Sequence, residues 1–258
     1  MSLKRTLTAA AMAVAAVALA PPASAQSTAA AFVGNLTWQL IDLTPGDGID
    51  PTITFTGAVN NFAISTLYAD PQFNNIAATS SASGSDIASV FVLNANGNAS
   101  AFGSPNGVSS ATRMFSNSGS SLAQSTMDFV LSANTRLIVT VSGMVDAEPD
   151  FTEGGLGSAF AQALLYGQVS NSSSAGITTF SSSMDSTFLR EERTLSAIVD
   201  TQTVEASGFL GMQAIAQSVS LATPVSAVPE PASVAMLLGG LVLLGATRRT
   251  RRTAEAGQ

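Results

Sequence analysis

The chain has no cysteine, no histidine, one tryptophan, two tyrosines and a single lysine, and only 10% of its 258 residues are charged. Each scarcity removes a class of chemistry. Without Cys and His there is no disulfide framework, no ordinary zinc site and no haem ligated by either residue. A Ser-His-Asp triad and a Cys-His dyad are excluded for the same reason. The one lysine, Lys4, lies in a stretch expected to be removed on export, so a lysine nucleophile or Schiff base is excluded from the mature protein. Positive charge is scarce as well. Residues 26–228 carry 15 acidic side chains against four arginines, Arg113, Arg136, Arg190 and Arg193, a net charge of about −11. Such a segment repels phosphate backbones and anionic surfaces, and nucleic-acid binding is discarded.

Apolar residues are concentrated at the two ends. Lys4 and Arg5 precede an apolar stretch from Leu7 to Ala20. Pro21 and Pro22 break it, and Ala23-Ser24-Ala25 forms a small-x-small cleavage site before Gln26. This is the pattern of a secretory signal peptide over residues 1–25, and the run is too short for a membrane anchor. Near the other end, Val228-Pro229-Glu230-Pro231 leads into an apolar run and then Arg248, Arg249, Arg251 and Arg252. Ala232 to Thr247 would extend roughly 24 Å as a helix, a short transmembrane span. The arginines that follow hold its far end on the cytoplasmic side. Both ends therefore place residues 26–228 outside the inner membrane.

Pro-Glu-Pro, a short apolar helix and a terminal arginine cluster, in that order, resemble the PEP-CTERM sorting signal. The resemblance covers only the tail, Pro229 to Arg252. It implies recognition by exosortase, a membrane-embedded cysteine transpeptidase, transient insertion in the inner membrane, and removal of the C-terminal helix. It also implies a surface or extracellular protein of a Gram-negative bacterium, of a kind often linked to exopolysaccharide and biofilm. It describes a route and assigns no activity to the segment between the ends.

That segment is rich in Ser, Thr, Ala, Asn and Gly, with short apolar alternations. Leu36, Trp38 and Leu40 alternate with polar residues, as do Ile53 and Phe55, and Leu137, Val139 and Val141. Phe62 to Leu67, Val90 to Leu93, Ile177 to Phe180, Leu195 to Val199 and Val204 to Leu221 continue the series. Period-two alternation bounded by turn residues predicts antiparallel strands, and so many short runs predict an all-β sandwich or jelly roll. Gly157 to Tyr166 is the best helical candidate, with an ambiguous pattern. Stretches 79–86, 94–110, 116–121 and 170–176 read as loops. The expected organisation is signal peptide 1–25, β domain 26–222, linker 223–228, sorting signal 229–252 and tail 253–258. Asn-x-Ser/Thr sequons, as at Asn35, arise by chance in so Asn- and Ser-rich a chain.

Chemistry must rest on carboxylates. Asp42, Asp47 and Asp50 fall within nine residues around Gly46 and Gly48, in a strand-turn-strand pattern. Carboxylates and carbonyls on such a turn could ligate calcium; the other reading is a tight turn whose Asp side chains cap backbone N–H groups. Asp146, Glu148, Asp150 and Glu153 form a second cluster, read as a solvated loop or as a partner to the first. Paired carboxylates could also run glycoside hydrolysis, but sugar platforms are few, and Trp38, alternating with Leu36 and Leu40, reads as core.

Three functions compete. The first is a structural or adhesive matrix protein, with self-assembly through sheet edges as one device. The second is a carbohydrate-binding β-sandwich module with structural calcium, binding extracellular polysaccharide. The third is a carboxylate hydrolase, the least supported. A sugar binder should expose a flat aromatic patch, whereas a structural subunit should present an apolar or edge-strand interface.

Overall fold

The computed structural model describes residues 26–149, 156–171 and 177–221. They form twelve strands: β1 (Ser27–Asp42), β2 (Ile53–Tyr68), β3 (Ile76–Gly84), β4 (Ala88–Asn94), β5 (Gly97–Ser104), β6 (Gly107–Met114), β7 (Asn117–Leu131), β8 (Thr135–Glu148), β9 (Leu156–Asn171), β10 (Ile177–Ser186), β11 (Glu191–Asp200) and β12 (Ala206–Leu221). The expected all-β architecture is present as two antiparallel six-stranded sheets. One has the order β11-β8-β1-β6-β5-β4 and the other β10-β9-β12-β7-β2-β3. They pack face to face, with β1 against β9 and β12, and β5 against β2 and β7. The segment read as a helical candidate is strand β9. The signal peptide, the linker and the C-terminal apolar run lie outside the described residues, and among those described no helix is long and apolar enough to cross a membrane.

Small residues dominate the layer between the sheets. One row across the second sheet runs Ala82, Ala63, Ala123, Ala214, Ala163 and Met184 on six neighbouring strands. The next runs Ser80, Ser65, Ser121, Ala216, Ala161 and Ser186. A Cβ placed on Gly103 of β5 would stand 3.1 Å from the carbonyl oxygen of Gln124 on the opposite sheet. The sheets thus approach closely where their inward positions are Ala, Ser and Gly. This accounts for three misread loops. Residues 79–86 are mostly β3, 94–110 contain β5 and the start of β6, and 116–121 open β7. Their inward side chains, such as Ala99, Ala101, Ser110 and Ser121, are buried without being strongly apolar. Bulkier side chains, including Phe129, Leu131, Leu137, Leu165, Leu195 and Leu210, fill the remaining core.

Both β1 and β2 break register midway. β1 shifts between Gly34 and Thr37, where Asn35 adopts a φ of 56°, and beyond that point it pairs with β8 alone. β2 shifts between Thr56 and Asn60, and its first residues pair with β7 alone. Trp38 and Phe55 stand on these half-flanked stretches, edge to face at 5.1 Å. They share the registers of the buried residues Val139 and Phe129. Lacking a second flanking strand, they nevertheless remain 48% and 38% exposed. The expectation of a core tryptophan is corrected: only Leu36 and Leu40 of that alternation pack against the core. Trp38 is the sole tryptophan, so its fluorescence reports this end of the fold directly. Acrylamide is expected to quench it in the folded protein at a rate close to half that of the urea-unfolded chain or faster. A strongly shielded, blue-shifted emission would contradict the exposure.

Candidate functional site

The Asp-rich turn between β1 and β2 is organised by its own backbone. Asp42 Oδ1 accepts the N–H of Thr44 at 2.8 Å, and Asp47 Oδ1 accepts that of Ile49 at 2.8 Å. Gly46 and Gly48 take positive φ values of 102° and 80°, which glycine adopts without steric cost. Asp47 Oδ2 also accepts from Asn134 Nδ2 at 2.7 Å, tying the turn to the β7–β8 connection. The Asp50 carbonyl accepts from Ser132 Oγ at 3.4 Å. Asp42 and Asp47 therefore act as Asx caps, and among the described residues no group of three or more acidic side chains is arranged to hold a metal ion. In the second cluster, Asp146 and Glu148 lie at the end of strand β8 rather than in a loop. Glu148 accepts from Thr28 Oγ1 at 3.5 Å. Asp150 and Glu153 lie outside the described residues.

A third acidic site carried no sequence signal beyond its Asn-rich surroundings. Asp70, in the β2–β3 connection, accepts backbone N–H groups of Gln72 and Asn74 on Oδ1 at 3.0 Å and of Asn75 on Oδ2 at 2.8 Å. These bonds, that from Asn74 foremost, hold its carboxyl below the usual range. They also brace Phe73, whose φ of 59° is rare for an aromatic residue, with its ring edge-on to Tyr68 at 5.1 Å.

A bidentate ion pair joins Arg136 of β8 to Asp200 of β11, with Nε–Oδ1 and Nη2–Oδ2 both at 2.8 Å. Those hydrogen bonds, and then the guanidinium charge, lower the Asp200 carboxyl. A carboxyl depressed in the folded state stabilises above its unfolded pKa of about 4 and loses that contribution as pH falls through the folded value. Wild type is therefore expected to exceed Asp200→Asn in thermal midpoint at pH 6–7. The gap should begin to narrow as pH falls below about 4 and go on narrowing toward lower pH. A gap that stays constant as pH is lowered from about 6 to the most acid pH at which the protein still folds would contradict the assignment.

Two surface hollows accompany these groups. One, of about 420 Å³, is lined by Phe32, Ser142, Gly143, Met144, Glu192, Arg193 and Thr194. Its single carboxylate, Glu192, is ion-paired with Arg190, so this hollow does not bring two carboxylates together. The other, of about 390 Å³, lies over β2, β3 and β7 and is lined by Asn60, Asn61, Phe62, Ser83, Gly84, Ser85, Gln124 and Thr126. It has no charged side chain. Phe62 is 38% exposed, and Asn61, fully buried, donates to the Ser85 carbonyl at 3.0 Å while its Oδ1 has no partner. Gln124 Nε2 donates to Tyr166 Oη at 2.6 Å, and burial raises the Tyr166 phenol. Amides, hydroxyls and one exposed ring suit a neutral polyhydroxylated ligand better than a charged one.

The sheet margins differ in charge. On one side β10 and β11 carry Asp185, Glu191, Glu192, Arg193 and Asp200. On the other, β3 and β4 carry no charged residue, and Ile76, Ile87, Phe91 and Leu93 are exposed. Val90 to Leu93, legible as an apolar run, is thus only half core. Val90 and Val92 are buried, while Phe91 and Leu93 are 62% and 64% exposed.

Of the sorting and cleavage residues only Gln26 is described, its Oε1 accepting from Arg113 Nη2 at 2.8 Å. No curated protein and no solved structure matches the chain. Residues 227–252 match the PEP-CTERM protein-sorting motif, a span that includes Pro229, Glu230, Pro231 and the four terminal arginines. The motif implies export, a transient C-terminal membrane anchor and processing by exosortase, a membrane transpeptidase. The chain thus carries at its C-terminal tail the PEP-CTERM sorting motif, the mark of an exosortase-sorted surface protein.

Proposed function

We propose that this exported protein is a structural or adhesive component of an extracellular matrix, joined to its surroundings through the uncharged margin of the sandwich. The observation that carries the reading is β4. It is an outermost strand with neither charge nor proline, and it presents Phe91 and Leu93 to solvent. Edge strands of soluble proteins are ordinarily guarded by lysine, proline, bulges or cover, and an unguarded apolar edge is an association surface. The test is a clean deletion strain compared with a complemented one for surface attachment, biofilm mass and protein retained in the matrix fraction. Attachment and biofilm at parental levels in the deletion strain would sink the proposal.

A second reading rests on the neutral hollow at Phe62. A carbohydrate-binding module would use Asn60 and Gln124 for sugar hydroxyls and the exposed ring for an apolar sugar face. Pull-down with the host's own polysaccharide, run with calcium and with EDTA, tests it. Binding that weakens at least about tenfold in Phe62→Ala supports it. Retention equal to a control protein, in both buffers, rejects it along with the calcium-dependent form.

A further inference from the structure

We infer that β4 is a homotypic interface, at which a second copy of this chain pairs antiparallel with the first about a two-fold axis through Phe91. The inference rests on the structural reading above and specifies the partner and register. β4 closes one end of its sheet, hydrogen-bonded to β5 on one side, and among the described residues no strand is hydrogen-bonded to the other. In an antiparallel ladder, alternate residues direct N–H and C=O away from the existing partner, so that free side offers a row of unpaired groups.

What singles out a second copy is the symmetry of the strand. β4 has seven residues, and Phe91 is its midpoint. An axis there pairs the whole strand with itself. Phe91 meets its own counterpart, Val90 meets the partner copy's position 92, and Ser89 meets position 93. Val90 and Val92, already facing inward, then extend the buried layer, while Phe91 and Leu93 lose their exposure on the outer face. An axis perpendicular to the sheet keeps inner faces on one side, and two six-stranded sheets become one continuous sheet.

Charge selects the same register. Asp86 is the acidic residue nearest β4 in sequence. With the axis at Phe91 it falls opposite position 96, an asparagine, so the two copies' Asp86 side chains stand at opposite ends of the interface. Shifting the axis toward Val90 shortens the ladder and draws those carboxylates together. Full-length self-pairing of β11 at the other margin would instead set Glu191 opposite the partner copy's position 200, an aspartate, which is unfavourable. The interface is isologous and closes at two copies, unlike a head-to-tail contact that would propagate.

The cysteine-free sequence allows a direct test. Ser89→Cys and Leu93→Cys are introduced together and singly into the full chain, produced and exported by the native cells, and oxidised. The double variant is expected to give a disulfide-linked dimer, while neither single variant forms that cross-link because position 89 faces 93. Adding Phe91→Lys to the double variant is expected to reduce the dimer by at least about tenfold, since like charges then meet at the axis. Unchanged far-UV circular dichroism would confirm that this variant folds. Sedimentation of the unmodified protein separates the failures. Oligomers without the 89–93 cross-link would overturn this register and leave the structural reading standing. A monomer at every concentration, with no cross-link, would overturn this interface, while the deletion strain tests the structural reading separately.

Discussion

Phe129→Ala is expected to lower unfolding stability by about 3–5 kcal/mol, the usual cost of emptying a fully buried phenylalanine site. Phe129 lies in β7 opposite Gly208 of β12, and it is among the largest fully buried side chains. A Cβ on Gly208 would stand 3.1 Å from Phe129 Cζ and 2.3 Å from the carbonyl oxygen of Gln168. The ring therefore packs beside a glycine, which has no side chain of its own to refill the space. The β7–β12 ladder runs unbroken past this site, so the cavity cannot readily collapse on that side. Urea unfolding would measure the change, with an unaltered slope showing that the transition still exposes the same surface. A loss below about 1 kcal/mol would mean that the layer around Gly208 repacks, contrary to the close-packed interior described. Gly208→Ala offers a complementary check, because the new methyl meets backbone that cannot rotate away, and overpacking there should also destabilise by about 1–3 kcal/mol.

The all-β class was legible because the large β-branched and aliphatic alternations of β8, β11 and β12 carry the period-two signal. The strands that were missed share one physical feature. Along β5, β6 and the start of β7, inward positions are Ala99, Ala101, Ser110, Thr112, Ser118 and Ser121, buried because the sheets come close, with little hydrophobic contrast to mark them. Trp38 failed for the opposite reason. Its alternation was correct, but burial depends on flanking strands, and β1 has only one beyond its bulge. Of the site residues, Asp42 and Asp47 had capping as an open alternative, and the structure gives them that geometry. The β4 edge was half legible: its apolar run was evident, but strand order in the sheet decides which alternate residues face solvent, and no local pattern encodes strand order. The hollow at Phe62 draws on the consecutive strands β2 and β3 and on the more distant β7, and had no local signature.

The small-residue layer has an energetic consequence that runs against the usual effect of core mutations. Ser65, Ser110 and Ser218 are buried with hydroxyl oxygens that have no hydrogen-bond partner. An unpaired buried hydroxyl is destabilising by about 1–3 kcal/mol relative to an apolar group of similar shape. Ser→Ala removes one atom, so little cavity is created. The combined Ser65→Ala, Ser110→Ala and Ser218→Ala variant is therefore expected to gain roughly 3 kcal/mol. For a domain of this size that is about 6–12 °C in thermal midpoint. The control is Ser121, in the same layer, whose Oγ donates to the carbonyl oxygen of Ala111 at 3.2 Å. Ser121→Ala removes that bond and should lower stability by about 1 kcal/mol. Opposite signs for one substitution, separated only by whether the hydroxyl has a partner, are what calorimetry should find. A triple variant no more stable than wild type would mean that these hydroxyls are solvated inside the sandwich, and the close contact between the sheets would then have to give way to room for water at those positions.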